Sequence, residues 1–165
     1  WLKEPRQQFS QKKLLVIGKG RIGSRVSKLM RPFLQVYDFD ILDDKISKLE
    51  ILMNEVDCVT IHIPKTKSNI SFIDEQKLSW MRNNSVLINT SRGAIVDEEA
   101  LYTEIKKRRL KAAFDVFWEE PYRGKLIEFH PNLFFMTPHV ASTCSDFLLG
   151  CRKDLDILIK EIELS

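Results

Sequence analysis

Six residues, Gly18-Lys19-Gly20-Arg21-Ile22-Gly23, constrain this chain more than any other stretch. They follow an apolar run, Leu14-Leu15-Val16-Ile17, that reads as a buried strand, and they open a helical segment from about Arg21. A second strand then ends at Asp38, 20 residues after Gly18. Each glycine of a G-x-G-x-x-G answers a steric demand: a tight turn, close approach of the backbone to a pyrophosphate, and close packing of helix on strand. The helix aims free N–H groups and a partial positive charge at that pyrophosphate. Three glycines in six residues also make ordinary loops. The strand before, the helix after and the closing acid are what turn the pattern into a dinucleotide site.

Asp38 stands where a carboxylate accepts hydrogen bonds from the adenine-ribose hydroxyls, and it would repel a 2′-phosphate. The next basic residues downstream, Lys45 and Lys48, come only after Asp40, Asp43 and Asp44. The expected cofactor is NAD rather than NADP.

Downstream, strands and helices alternate. A helix is expected over Asp43–Met53 and a third strand over Val56–Ile61, stopped by His62-Ile63-Pro64. A short helix follows over Asp74–Met81, then a strand over Ser85–Asn89 leading into Thr90-Ser91-Arg92-Gly93. Asp97 reads as the N-cap of a helix running to about Arg108, with Glu98 and Glu99 in its first turn. The run Lys106-Lys107-Arg108-Arg109 reads as its solvated end, where cations suit the dipole. Strands over Lys111–Phe117 and Leu133–Met136 complete the set, and Ser142–Leu164 has the period of an amphipathic helix. The strands are rich in Val, Ile, Leu and Phe. The fold class is therefore α/β: a doubly wound, mostly parallel, Rossmann-type sheet with helices on both faces, built as two mononucleotide halves.

At 165 residues the chain is one domain. Residues 1–12 read as a lead-in from an upstream segment. A net charge of +3 is too small to imply a nucleic-acid or membrane partner, and no stretch approaches the ~18 apolar residues of a membrane span. The three cysteines, Cys58, Cys144 and Cys151, lack C-x-x-C spacing and read as free thiols of a reducing compartment, the cytoplasm. A helix start lowers a thiol pKa, but Cys144 reads rather as a packed small residue.

Reactive side chains fall at the ends of strands. His62-Ile63-Pro64 follows strand three, Thr90-Ser91-Arg92 strand four, Asp115 with Glu119-Glu120 strand five, and Pro138-His139 strand six. In an open parallel sheet the ligand lies outside the carboxyl ends of the strands, so these groups can face one crevice. A guanidinium binds a carboxylate through two parallel hydrogen bonds, and a histidine can exchange a proton with a carbinol. A nearby carboxylate would favour the imidazolium. His130 precedes strand six and reads as structural; His62 reads as a supporting residue. The chemistry calls for no metal.

The blocks GKGRIG, VYDFD, VDCVTIHIPKT, LINTSRGAIVDEEAL, KAAFDVFWEEP and PNLFFMTPHVAST together resemble the NAD-binding domain of the D-isomer-specific 2-hydroxyacid dehydrogenases. The resemblance implies that Arg92 binds the substrate carboxylate, that His139 is the general acid/base, and that Glu120 is its partner. It implies that Asp115 lies near the nicotinamide carboxamide. Gly18, Gly20, Arg21, Ile22, Gly23, Asp38, Ile63, Pro64, Thr90, Ser91, Arg92, His139 and Ala141 fall at cofactor-contacting positions. The reaction implied is reversible hydride transfer between nicotinamide C4 and C2 of a 2-hydroxy/2-oxo acid. Two segments depart from the family: Val140-Ala141-Ser142-Thr143-Cys144, often glycine-containing, and the basic turn at Arg108, Arg109 and Lys111.

Full-length members carry a second, substrate-binding domain, against which residues 142–165 would pack, and are usually homodimers joined through the nucleotide domain. The isolated chain is therefore expected to bind NAD(H) and to turn over poorly. Corepressors of the C-terminal-binding-protein type share the fold, so an NAD(H)-sensing scaffold is the alternative.

Overall fold

Leu14 to Ile17 are all buried, as a strand covered on both faces requires. In the computed structural model, which describes residues 9–141, they belong to β1 (Lys13–Ile17). The other strands are β2 (Gln35–Phe39), β3 (Cys58–Ile61), β4 (Val86–Asn89), β5 (Lys111–Phe114) and β6 (Phe134–Met136). They form one six-stranded sheet in the order β2-β1-β3-β4-β5-β6, and every pairing is parallel. The chain reverses direction once, between β1 and β3. The two halves are thus unequal, with two strands on one side of the reversal and four on the other. Residues 1–8 and 142–165, with the lead-in and the expected last helix, lie outside the described residues.

The helices are α1 (Arg21–Met30), α2 (Ile46–Glu55), α3 (Glu75–Trp80) and α4 (Glu98–Lys106). Right-handed crossovers that step in opposite directions put α1 on one face and α2, α3 and α4 in a row on the other. The core fills the space between that row and the sheet, with Phe39, Leu49, Met53, Ile61, Leu87 and Phe114 almost fully buried. Each such side chain contributes about 1.5–3 kcal/mol relative to an exposed one.

Local chemistry sets the boundaries. Asp97 caps α4 by accepting the Ala100 N–H at 2.9 Å, and Asp74 caps α3 by accepting the Lys77 N–H at 2.9 Å. The helix expected from Asp43 starts at Ile46 instead. Asp40 and Asp44 first close a turn, with Asp44 accepting the Asp40 N–H and Asp40 accepting the Leu42 N–H. β5 ends at Phe114, short of the expected Phe117: Asp115 still donates its N–H to the Asn89 carbonyl, then the chain leaves the ladder.

Arg109 is not part of a solvated helix end. Its guanidinium pairs with buried Glu104 and donates to the carbonyls of Leu78 and Met81, tying the ends of α3 and α4 together. Charge complementarity at a helix terminus was the visible signal; the carbonyls came from a helix distant in sequence.

Candidate active site

The loop between β1 and α1 has the geometry its glycines suggest. Gly18 has φ +100°, and a Cβ on it would lie 2.6 Å from the His62 carbonyl oxygen. A Cβ on Gly23 would lie 1.8 Å from the Gly18 oxygen, so helix and strand can pack this closely only here. Gly20 is different: nothing lies within 4 Å of where its Cβ would be. Helix α1 has no side-chain cap and no acidic residue in its first turn, which leaves its N-terminal amides open to an anion.

Asp38 lies on the α1 side, where it accepts from the Ser27 hydroxyl and pairs with Arg31. Asp40, just past the strand, lines a cavity of about 290 Å³ with Gly18, Gly20, His62 and Ile63. One oxygen of Asp40 accepts the Lys19 N–H at 2.6 Å, and the other accepts the Leu42 N–H at 3.0 Å. Alternation along the strand does not separate the two acids, which are two residues apart. Asp38 is still within β2 and meets Ser27 of α1 and Arg31, the residue that ends α1, whereas Asp40 lies past the strand's last residue, Phe39.

A second cavity, of about 570 Å³, runs from the start of α1 to the loop after β4 and is lined by Arg21, Ile22, Ile63, Pro64, Thr90 and Arg92, among others. His62 borders both cavities; its Nε2 lies 3.0 Å from the Thr60 hydroxyl, and burial pushes its pKa below the ordinary value. The Arg92 turn is held from below by Asn89, fully buried at the end of β4. The Asn89 Oδ1 accepts the Ser91 N–H at 3.0 Å and the Ser91 hydroxyl at 2.9 Å, and its Nδ2 donates to the Arg92 carbonyl at 2.9 Å. Asn89 went unnoticed as a site residue, although a polar residue closing the apolar run Val86-Leu87-Ile88 marks it.

Glu120 and His139 meet at the ends of β5 and β6. His139 Nδ1 lies 2.9 Å and 3.1 Å from the two Glu120 oxygens, and one of these oxygens also accepts the Phe117 N–H at 3.1 Å. The bond to His139 is the main cause holding the Glu120 carboxyl below its usual range, and Arg92 adds to it. Glu119 does not share in the pair. Arg92 lines a different cavity, yet its loop and the Glu120 loop touch: a Cβ on Gly93 would lie 2.1 Å from the Phe117 carbonyl carbon. Arg92, Glu120 and His139 therefore sit on one edge of the sheet, after three neighbouring strands. His130, expected to be structural, lines the same cavity of about 470 Å³ as the His139–Glu120 pair.

Asp115 is buried and faces the loop after β6, accepting the Thr137 hydroxyl at 2.5 Å and the amides of Val140 and Ala141 at 3.0 and 3.1 Å. Cys58 is half-buried, and desolvation, with the charge of Asp57 adding to it, pushes its thiol up to about 12, the opposite of an activated thiolate. Cys144 lies outside the described residues.

A parallel sheet that reverses at the glycine loop, with an acid at the end of the second strand and open amides on α1, defines a dinucleotide-binding domain. The comparisons narrow the class. The sequence profile of the D-isomer specific 2-hydroxyacid dehydrogenase, NAD binding domain, matches residues 1–141. D-3-phosphoglycerate dehydrogenase of Synechocystis is 32% identical over 93% of this chain and 30% of its own length. Glyoxylate reductase of Aeropyrum pernix is 36% identical over 79% of this chain and 42% of its own. The structure of D-lactate dehydrogenase from Aquifex aeolicus, complexed with NAD and lactic acid, superposes with a TM-score of 0.82 at 28% identity, covering 94% of this chain and 54% of that one. The chain belongs to the D-isomer specific 2-hydroxyacid dehydrogenase family, as its NAD-binding domain. It spans less than half the length of these curated relatives. Among the described residues no helix is long and apolar enough to cross a membrane.

Proposed function

We propose that this chain is the cofactor-holding half of an NAD-dependent dehydrogenase that interconverts D-2-hydroxy and 2-oxo acids. The observation that carries the proposal is the His139–Glu120 pair, set on the same strand edge as Arg92 and the glycine loop. The chain's own groups fit the dinucleotide. The amides of α1 and Arg21 suit the pyrophosphate, Gly20 leaves room for it, and Asp40, rather than Asp38, accepts from the ribose hydroxyls. Ile63, Pro64, Thr90 and Ser91 line the path toward the nicotinamide end.

Bound NAD(H) supplies or accepts the hydride at nicotinamide C4. Arg92 grips the substrate carboxylate through two parallel hydrogen bonds. With Nδ1 turned to Glu120, His139 presents Nε2 to the C2 oxygen; as the imidazolium it gives its proton there during reduction and takes it back during oxidation. Glu120 stabilises the charged ring. The functional protein is a cytoplasmic homodimer on this reading.

Two measurements test the proposal. The full-length protein should consume NADH with at least one member of a 2-oxo acid panel, and the 165-residue chain alone should bind NADH with little or no turnover. NADH binding without consumption of any 2-oxo acid would move the assignment to an NAD(H)-sensing scaffold. For the cofactor half, Asp40→Asn should weaken NADH binding by about 10-fold, the worth of about one charge-assisted hydrogen bond. Asp38→Asn should leave it nearly unchanged; the reverse ranking in a fluorescence titration would return the ribose contact to Asp38.

A further inference from the structure

His139 has φ +52°, a backbone conformation that residues with a side chain rarely adopt. Such a conformation persists only where the surroundings over-determine it. One carboxylate supplies three of the bonds that surround His139. Asp115 takes the Thr137 hydroxyl on one side of His139 and the Val140 and Ala141 amides on the other, so its three bonds bracket the histidine. The loop adds a bond of its own, from the His139 N–H to the Thr137 carbonyl at 3.0 Å.

Asp115 is itself fixed. It follows β5 directly, is 6% exposed, and donates its N–H to the Asn89 carbonyl at 3.1 Å. Glu120 lies on the same connection, five residues on. Beside the bond from the Thr137 N–H to the Phe114 carbonyl at 3.0 Å, this buried carboxylate on the β5 side therefore holds the β6 loop in place relative to Glu120. Burial alone pushes the Asp115 carboxyl up, but the Thr137 hydroxyl, the two amides and the charge of His139 together hold it below its usual value. It is a carboxylate matched to its donors.

We propose that Asp115 is a positioning residue that clamps residues 137–141 and so delivers His139 Nδ1 to Glu120. This deepens the dehydrogenase reading by naming what holds its acid/base pair in place. It gives Asp115 a role distinct from contact with the nicotinamide carboxamide. Two of its oxygens' acceptor sites serve Thr137 and Val140, and a third serves Ala141.

The test uses the hydrogen bond itself and needs no substrate. In the 165-residue chain, the imidazole Nδ1–H of His139 should give a downfield proton resonance, identified by its absence in His139→Gln. Asp115→Asn keeps the shape but sets an NH₂ against a hydroxyl or amide donor. The resonance should then be lost, while amide dispersion stays that of a folded protein. A folded Asp115→Asn chain that kept the resonance would overturn the proposal, as would a parent chain that lacked it. Should Asp115→Asn fail to fold, Thr137→Val decides. It removes one of the three bonds and should speed exchange of the Nδ1 proton with water, and an unchanged exchange rate would also overturn the clamp. The resonance is independent of turnover, so an inactive full-length protein would sink the dehydrogenase reading without touching this one.

Discussion

Replacing His139 with Gln in the full-length protein should lower kcat for 2-oxo acid reduction by about 10²–10⁴-fold, the usual contribution of a positioned general acid. Glutamine can still donate a hydrogen bond to Glu120 from its amide, so the loop should keep its place. What it lacks is a proton that it can give up near neutral pH. KM for NADH should therefore change little, because the glycine loop, Asp40 and the open amides of α1 lie at the other end of the crevice. Steady-state kinetics beside a direct NADH titration separate the two effects. A variant keeping more than about a tenth of the parent kcat would show that another group moves the proton. His130, on the wall of the same cavity, would be the first to examine.

How far the site could be read in advance depended on whether its geometry is local in sequence. The glycine loop was legible because strand, turn and helix are consecutive and each glycine has its own steric reason. The cap Asp97 was legible for the same cause: a carboxylate three residues before the amide it accepts. Asp38 and Asp40 were harder to separate. Both follow the same apolar run, and only the position of the strand's last residue and the partners on α1 distinguish them. Asn89, Asp115 and Arg109 belong to a third kind. Their side chains act on backbone groups of a turn or of elements 22 or more residues away, and a single sequence carries no record of which carbonyl or amide will be brought within reach. The family resemblance placed Glu120, His139 and Arg92; the register of β4, β5 and β6 explains why residues so far apart share an edge.

The same substitution at two glycines of the loop should fail in different ways. In Gly23→Ala the new Cβ meets the Gly18 carbonyl oxygen at 1.8 Å, a backbone atom that can retreat only if α1 moves off β1. We expect a loss of about 3 kcal/mol or more, at the top of the range for overpacking, and hence a fall in Tm of about 6–12 °C for a domain of this size. NADH binding should fall with it. In Gly20→Ala the Cβ meets nothing within 4 Å, and the backbone, at φ −66° and ψ −168°, is one that alanine adopts freely. Stability should be unchanged or slightly higher, by up to about 1 kcal/mol, because the unfolded chain loses freedom. NADH affinity should nevertheless drop by about 10-fold or more, as expected when a methyl group enters a close contact worth 1–3 kcal/mol. Nothing in the folded chain asks for a glycine at position 20, so its effect has to come from a ligand that approaches the backbone there. A Gly20→Ala chain that melted like the parent and bound NADH equally well would mean that the pyrophosphate lies elsewhere, and the crevice assignment would go with it.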